Sequence, residues 1–308
     1  MPGLMKSSAC LGWFLAAVWV ACSCLCAAAA DRPLVYVGLP PQRWLVQQLA
    51  SNRVQVGLLL APGQNPHTFE PTSRQVREMS AAQVYLMMGL PFERALVKKV
   101  QAVNSGLRVI DVTTGVPRRI QPAHAHAHGA DENHDEDGCC EGADPHVWLT
   151  PDAMTTLASN TVAALVALDP AGKGEYEARL AHLRERMARL DSELRTLLAP
   201  VRGGVLLTYH ASWGYFTDAY GLQQVAIEAE GRAPAARQLA EVIDLAKKER
   251  VRKVFTEPPY DPRPSQTLAR QIGAEVEIVD PLTEEWDTNL RAIAEKIRAA
   301  LFPADARK

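Results

Sequence analysis

From Leu34 onward the chain alternates short apolar runs with amphipathic stretches of helical length. The runs at 34–38 (LVYVG), 54–60 (VQVGLLL), 83–88 (QVYLMM) and 107–110 (LRVI) are apolar, partly β-branched and bounded by turn residues, which predicts strands buried on both faces. Between them PQRWLVQQLA, PTSRQVREMSA and FERALVKKVQAV place apolar residues three and four apart, the spacing of one helix face. Strict alternation of strand and helix predicts a parallel sheet covered by helices. The rhythm returns at 204–209, 223–228, 253–257 and 276–280, with helices near 235–249, 263–272 and 286–301.

Two interruptions divide the chain. One is GEYEARLAHLRERMARLDSELRTLL, with Leu180, Leu183, Met187, Leu190, Leu194 and Leu197 on one stripe and Glu and Arg alternating elsewhere. It predicts one straight helix. The fold expected is therefore α/β: two Rossmann-like lobes with parallel sheets, at 31–168 and 200–308, joined by one long rigid helix within 169–199. The other interruption, at 115–145, contains AHAHAHGADENHDEDGCCEGA. Nearly devoid of large apolar residues, it cannot bury enough surface to offset ordering entropy, and a mobile His- and acid-rich loop is expected.

Residues 1–30 carry Lys6, an uncharged apolar middle (LGWFLAAVWV) and small residues at Ala28 and Ala30, the plan of a cleaved export signal. The rival reading is a membrane anchor, since Cys10 to Ala30 is long enough to span. A lipid anchor on Cys22, Cys24 or Cys26 is a further variant, although Trp19-Val20-Ala21 approaches it poorly. Four of the six cysteines lie in this segment; the other two, Cys139 and Cys140, are adjacent, so no long-range disulfide is expected in the mature protein. A formal charge of −2 and the absence of a Lys/Arg-rich stripe argue against a nucleic-acid partner.

The histidines are the main chemical signal. In open parallel sheets ligands bind beyond the carboxyl ends of the strands. His67 (PGQNPHTFEP) follows the second strand, His146 (ADPHVW) follows the last strand of the first lobe after the loop, and His210 (TYH) ends the first strand of the second lobe; Asp280 closes the last strand, VEIVD. Each histidine taken singly is as well explained by capping or packing on its loop. Three in matching topological positions, with a carboxylate, suit a four-coordinate zinc or a similar first-row ion held between lobes. Glu70 and Glu257 are further carboxylates, Glu257 read as a buried support of the second lobe. His182 reads as a surface residue, and Trp148, Trp213 and Tyr215 as crevice walls, with ordinary core the alternative for Trp213.

The segments PGQNPHTFEPTSRQVREMSAAQVYLMMGLPFE, DPHVWLTP, LLTYHASWGYFTDAYGL, EGRAPAARQLAEVIDLAKKERVRKVFTEPPY and AEVEIVDPL resemble, in order across 33–301, the zinc/manganese substrate-binding proteins of bacterial ABC importers, the ZnuA/TroA-like family. The resemblance implies a monomeric, non-enzymatic periplasmic protein that captures zinc and delivers it to a membrane permease with its cytoplasmic ATPase. It also implies His67, His146, His210 and Asp280 as metal ligands. A histidine at position 210 looks like the zinc pattern, whereas a carboxylate there accompanies manganese, the alternative ion. His124, His126, His128 and His134 resemble the variable loop of zinc-specific members and imply secondary, weaker metal binding; a solvated insert without a role is the other reading. Rival functions are a periplasmic zinc buffer, an adhesin and a zinc hydrolase. The last lacks any H-E-x-x-H helix in this sequence.

Overall fold

The computed structural model describes residues 32–120, 143–228 and 234–302. The first lobe runs β1 (Leu34–Val37), α1 (Pro40–Ala50), β2 (Gln55–Leu58), α2 (Ser73–Met79), β3 (Val84–Met87), α3 (Glu93–Gln101) and β4 (Arg108–Asp111). Helices α4 (Pro151–Leu168) and α5 (Lys173–Leu198) follow. The second lobe repeats the alternation as β5 (Val205–Thr208), α6 (Gly214–Tyr220), β6 (Gln223–Ala226), α7 (Ala236–Lys248), β7 (Lys253–Thr256), α8 (Arg263–Ile272), β8 (Glu275–Ile278) and α9 (Trp286–Leu301). Each sheet is parallel throughout, ordered β2-β1-β3-β4 and β6-β5-β7-β8. Two parallel α/β lobes linked by a long helix are thus the observed architecture. Among the described residues no helix is long and apolar enough to cross a membrane.

Several expectations need correction. Only the central strands β1, β3, β5 and β7 are largely buried; β2, β4, β6 and β8 are partly exposed, because the strand order puts them at sheet edges where one flank has no neighbour. On α5 the stripe ends at Leu198, not Leu197, since a 3.6-residue period carries the buried face from Leu194 by four residues at that point. Helix α4 was not foreseen as a separate element. Thr150 caps it, its Oγ1 accepting from the Ala153 N–H at 3.2 Å, and Pro151 fills the first turn, where no N–H is needed. The ends of the expected mobile loop are also held: Val116 is buried, Ile120 bridges Ala143, and the Asp144 N–H donates to the Arg119 carbonyl at 2.8 Å.

The lobes do not own separate cores. One apolar cluster runs from β1 and β3 through α4 and the α5 stripe to Trp213, Phe216, Phe255, Leu290 and Ile293; only the outer layer of the second lobe, with Leu207, Val254 and Leu268, forms a cluster of its own. Polar groups lock the same seam. The Trp286 Nε1–H donates to the Trp148 carbonyl at 2.8 Å, and the Trp148 Nε1–H donates to the Pro281 carbonyl at 3.0 Å, so two buried indoles pin the lobes to each other behind the crevice. Trp44 stacks on Trp286 with centroids 5.5 Å apart.

Because Trp286 contributes both a buried ring and the partner of a buried carbonyl, Trp286→Ala is expected to cost about 3–5 kcal/mol, the range for large aromatic truncations. Denaturant unfolding of the metal-free protein should show a lower midpoint; an unchanged midpoint would mean that the seam does not carry stability.

Candidate metal centre

His67 is presented by the loop between β2 and α2. The two ends of this loop are drawn together because Gln75, in the first turn of α2, donates from Nε2 to the Leu59 carbonyl at 2.7 Å, and Thr72 caps the helix by accepting the Gln75 N–H at 3.3 Å. At the tip, Asn65 Oδ1 accepts the His67 N–H at 2.9 Å, an Asx turn that sets the direction in which the imidazole leaves the chain. His146 is set by Asp144, whose Oδ1 accepts both the His146 backbone N–H at 3.0 Å and its ring Nδ1–H at 2.7 Å. His210 follows β5 directly. Its Nδ1 lies against Glu228 Oε1, and its carbonyl accepts from Thr208 Oγ1 at 2.8 Å.

These supports bring the three rings together. Nε2 of His210 is 3.0 Å from that of His67 and 3.2 Å from that of His146, and the His67 and His146 Nε2 atoms are 3.3 Å apart. With Nδ1 of His146 and His210 each facing a carboxylate, the ring proton belongs on Nδ1 and the Nε2 lone pairs point at one another. Two lone pairs, with the His67 Nε2 3.0 and 3.3 Å from them, converge on a space that a cation can take. A tetrahedral zinc with Zn–N near 2.0–2.1 Å spaces its nitrogens by ~3.3 Å, so the observed triangle fits the ion.

The surroundings are apolar. Pro66, Trp148, Pro259, Tyr260, Pro281 and Leu282 wall the pocket, and the Tyr260 ring lies 5.1 Å from that of His210. Burial, reinforced by the two neighbouring rings, lowers the His67 pKa to about 3. Burial likewise lowers that of His146, although Asp144 pulls it the other way. Burial alone would raise Asp144, but the hydrogen bonds from His146 and the Arg119 charge outweigh it and hold the carboxyl below its usual range. For His67 and His146 the crevice therefore favours the neutral imidazole, the protonation state that binds metal.

A family model described as zinc-uptake complex component A, periplasmic (ZnuA), matches residues 35–300. This chain belongs to that family. Similar proteins include a ZnuA deletion variant solved with zinc bound, 34% identical, with a TM-score of 0.79, covering 88% of this chain and 98% of that one. A putative metal-binding protein of Treponema pallidum is 28% identical, the match covering 81% of this chain and 79% of that protein. The zinc-binding protein AdcA of Streptococcus pyogenes serotype M3 is 24% identical over 79% of this chain and 49% of its own length, so the chain spans about half of that relative. The ZnuA family is one of transport binding proteins rather than enzymes.

Not every expected ZnuA-like site residue joins the cluster. Among the described residues the groups that can close on one ion are His67, His146 and His210; Asp280 is outside that set, its Oδ1 instead accepting the Leu282 N–H at 2.9 Å while burial raises its pKa. That turn carries Pro281 and Leu282 into the pocket wall. Glu257 is buried, its Oε1 accepting from Ser212 Oγ at 2.8 Å and Trp213 Nε1 at 3.0 Å, and burial pushes its pKa up to about 7. It braces the second lobe, as expected. Glu70 and His182 are exposed. Trp148 lines the pocket; Trp213 is core; Tyr215 packs against that core rather than lining the pocket, its hydroxyl donating to the Pro117 carbonyl at 3.2 Å. His124, His126, His128, His134, Cys139 and Cys140, like residues 1–30, lie outside the described residues.

Sequence reading missed Asp144 and Glu228. Both had a signal. Asp144 precedes His146 by two, the reach of an Asx turn. Glu228 follows from the β5–β6 register, which pairs Val205 with Gln223 and Thr208 with Ala226 and so carries 228 alongside 210.

The His67 pKa also fixes a pH dependence. In the unfolded chain the imidazole takes up a proton near pH 6.5, in the folded one only near 3. Between these values the unfolded state binds more protons, so folding stability rises with pH and is lost as pH falls. The melting temperature of the metal-free protein should therefore drop below about pH 6.5, and His67→Gln should drop less steeply. Parallel melting curves across that window would contradict a buried neutral His67.

Proposed function

We propose that this protein captures zinc between its two lobes through His67, His146 and His210 and hands it to an ABC permease driven by a cytoplasmic ATPase. The single observation that supports this reading is the convergence of three Nε2 atoms from both lobes in an apolar pocket. An all-imidazole set favours zinc over manganese, which is better matched by carboxylate and carbonyl oxygen. The zinc-bound ZnuA variant and the AdcA relatives carry the same ion in their names, and the family's periplasmic description agrees with residues 1–30 acting as an export signal. Release to a permease needs the ligands to part, and a site shared between lobes does so when the lobes shift slightly. Asp280 is assigned a supporting role, shaping the Pro281–Leu282 wall, and the fourth zinc position goes to solvent.

Calorimetric titration with zinc tests the assignment. Replacing any one of the three histidines with Ala should lower affinity by at least about 10- to 100-fold, the range for tuning contacts alone, and Asp280→Ala should have a smaller effect. Tight binding unchanged in any single histidine variant would remove that residue from the site.

His124, His126, His128 and His134 are proposed as weaker accessory ligands. Since Arg119, Ala143 and Asp144 tie together the chain on either side, deletion of 123–142 should leave the tight site intact and remove weaker ones. Loss of the tight site in a deletion variant with unchanged circular dichroism would transfer primary ligation to the loop.

A further inference from the structure

Arg119 occupies a position that capture by three histidines does not explain. It lies beyond β4 in the first lobe, yet its Nε donates to Asp218 Oδ2 on α6 of the second lobe at 2.8 Å, while Nη1 donates to Asp144 Oδ2 at 3.3 Å. Asp144 is fully buried, and its other oxygen holds Nδ1 of His146. One planar guanidinium thus joins a carboxylate of the second lobe to the carboxylate that orients a histidine of the first. Its backbone is held from the same side: the Arg119 N–H donates to the Tyr215 hydroxyl at 3.1 Å.

The second lobe leaves room for this guanidinium at one point. A Cβ on Gly214, the first residue of α6, would come within 2.2 Å of Arg119 Nη1 and 2.3 Å of its Cζ. Gly214 has no left-handed backbone angle to account for its lack of a side chain. The absence of a Cβ here lets α6 receive the arginine.

We propose that Arg119 is a positioning residue that couples closure of the second lobe to the orientation of His146, through the chain Asp218–Arg119–Asp144–His146. Parting of the lobes pulls Asp218 and Asp144 away from each other. The guanidinium fork, matched to two carboxylates at once, then keeps only one of them. When Arg119 leaves Asp144, that carboxylate loses the contact that fixes its orientation and no longer holds the imidazole in one place. The ring is then freer to turn away from the metal. Opening and ligand release become one event. The inference rests on the zinc-capture reading above.

Zinc release into excess chelator, followed by stopped flow, tests it on the full-length mature protein. Arg119→Ala and Gly214→Ala should each speed release by about 10-fold, the lower end for loss of a contact outside the ligand set. The double variant should release no faster than Arg119→Ala alone, because an alanine at 119 vacates the space that the new Cβ needs. Asp218→Asn, at an exposed carboxylate remote from the metal, should also speed release and guards against a variant that fails to fold. The visible bands of the cobalt-loaded protein should change in Arg119→Ala, reporting on ligand geometry at His146 rather than on stability. Release rates and cobalt spectra indistinguishable from the parent, or additive effects of the Arg119 and Gly214 substitutions, would overturn the coupling. A parent that retains no zinc would overturn the capture reading and this inference together; a parent that holds zinc while the variants match it would overturn this inference alone.

Discussion

Three imidazole nitrogens held near van der Waals contact, those of His146 and His210 with their lone pairs facing inward, are the constraint around which this molecule is arranged. Such a cluster is unfavourable by itself. Each ring is desolvated, and with Nδ1 committed to Asp144 or Glu228, neither His146 nor His210 can relieve the repulsion by turning a proton inward. The rest of the fold must hold the rings together against that tendency. A cation then gains what the empty geometry lacks: ligands already desolvated and oriented, with little left to reorganise on binding.

Holding the rings requires that the lobes stay aligned, and the seam behind the crevice does this. Helix α5 serves as a shared core element rather than a tether between independent bodies: its buried face belongs to one cluster with the first lobe and the inner layer of the second. The reciprocal indole bonds of Trp148 and Trp286 add directionality to that packing, since each buried N–H or carbonyl would lose its partner if the lobes slid. Movement is thereby restricted to small changes at the mouth, where the contacts are polar and partly exposed, as at Arg119 and Asp218. A continuous core and a polar rim suit a protein that must close firmly yet release its cargo.

The pocket wall divides its labour by residue type. Prolines at 66, 259 and 281 stiffen the segments that approach the ion, and Trp148, Tyr260 and Leu282 exclude water. Asp144 and Glu228 stand behind the histidines they orient, and Glu257, which borders the pocket, turns one oxygen to Ser212 and Trp213. Asp280 follows the same rule: its side chain closes a turn with the Leu282 N–H, so its influence passes through the wall it shapes. Glu257 does likewise for the loop after β5 through Ser212 and Trp213.

Periodicity and local turn chemistry were enough to establish the alternating strands and helices, the long helix and the placing of His67, His146 and His210 at strand ends, because these depend on residues close together in the chain. The apolar runs specify strands whatever their neighbours, and N-P-H and D-P-H fix how a loop presents its histidine. What only the tertiary structure decided depends on contacts across long separations. Strand order made β2, β4, β6 and β8 edges, although their sequences resemble those of buried strands. Packing of α5 against both lobes joined the core of the first to the inner layer of the second and left the outer layer as a cluster of its own. The β5–β6 register put Glu228 behind His210, the turn at 280–282 held Asp280 out of the histidine cluster, and the gap left at Gly214 brought Arg119 across the crevice. A sequence states which residues can bind a metal, but which lone pairs meet is settled by the pairing of strands and the seating of helices far apart along the chain.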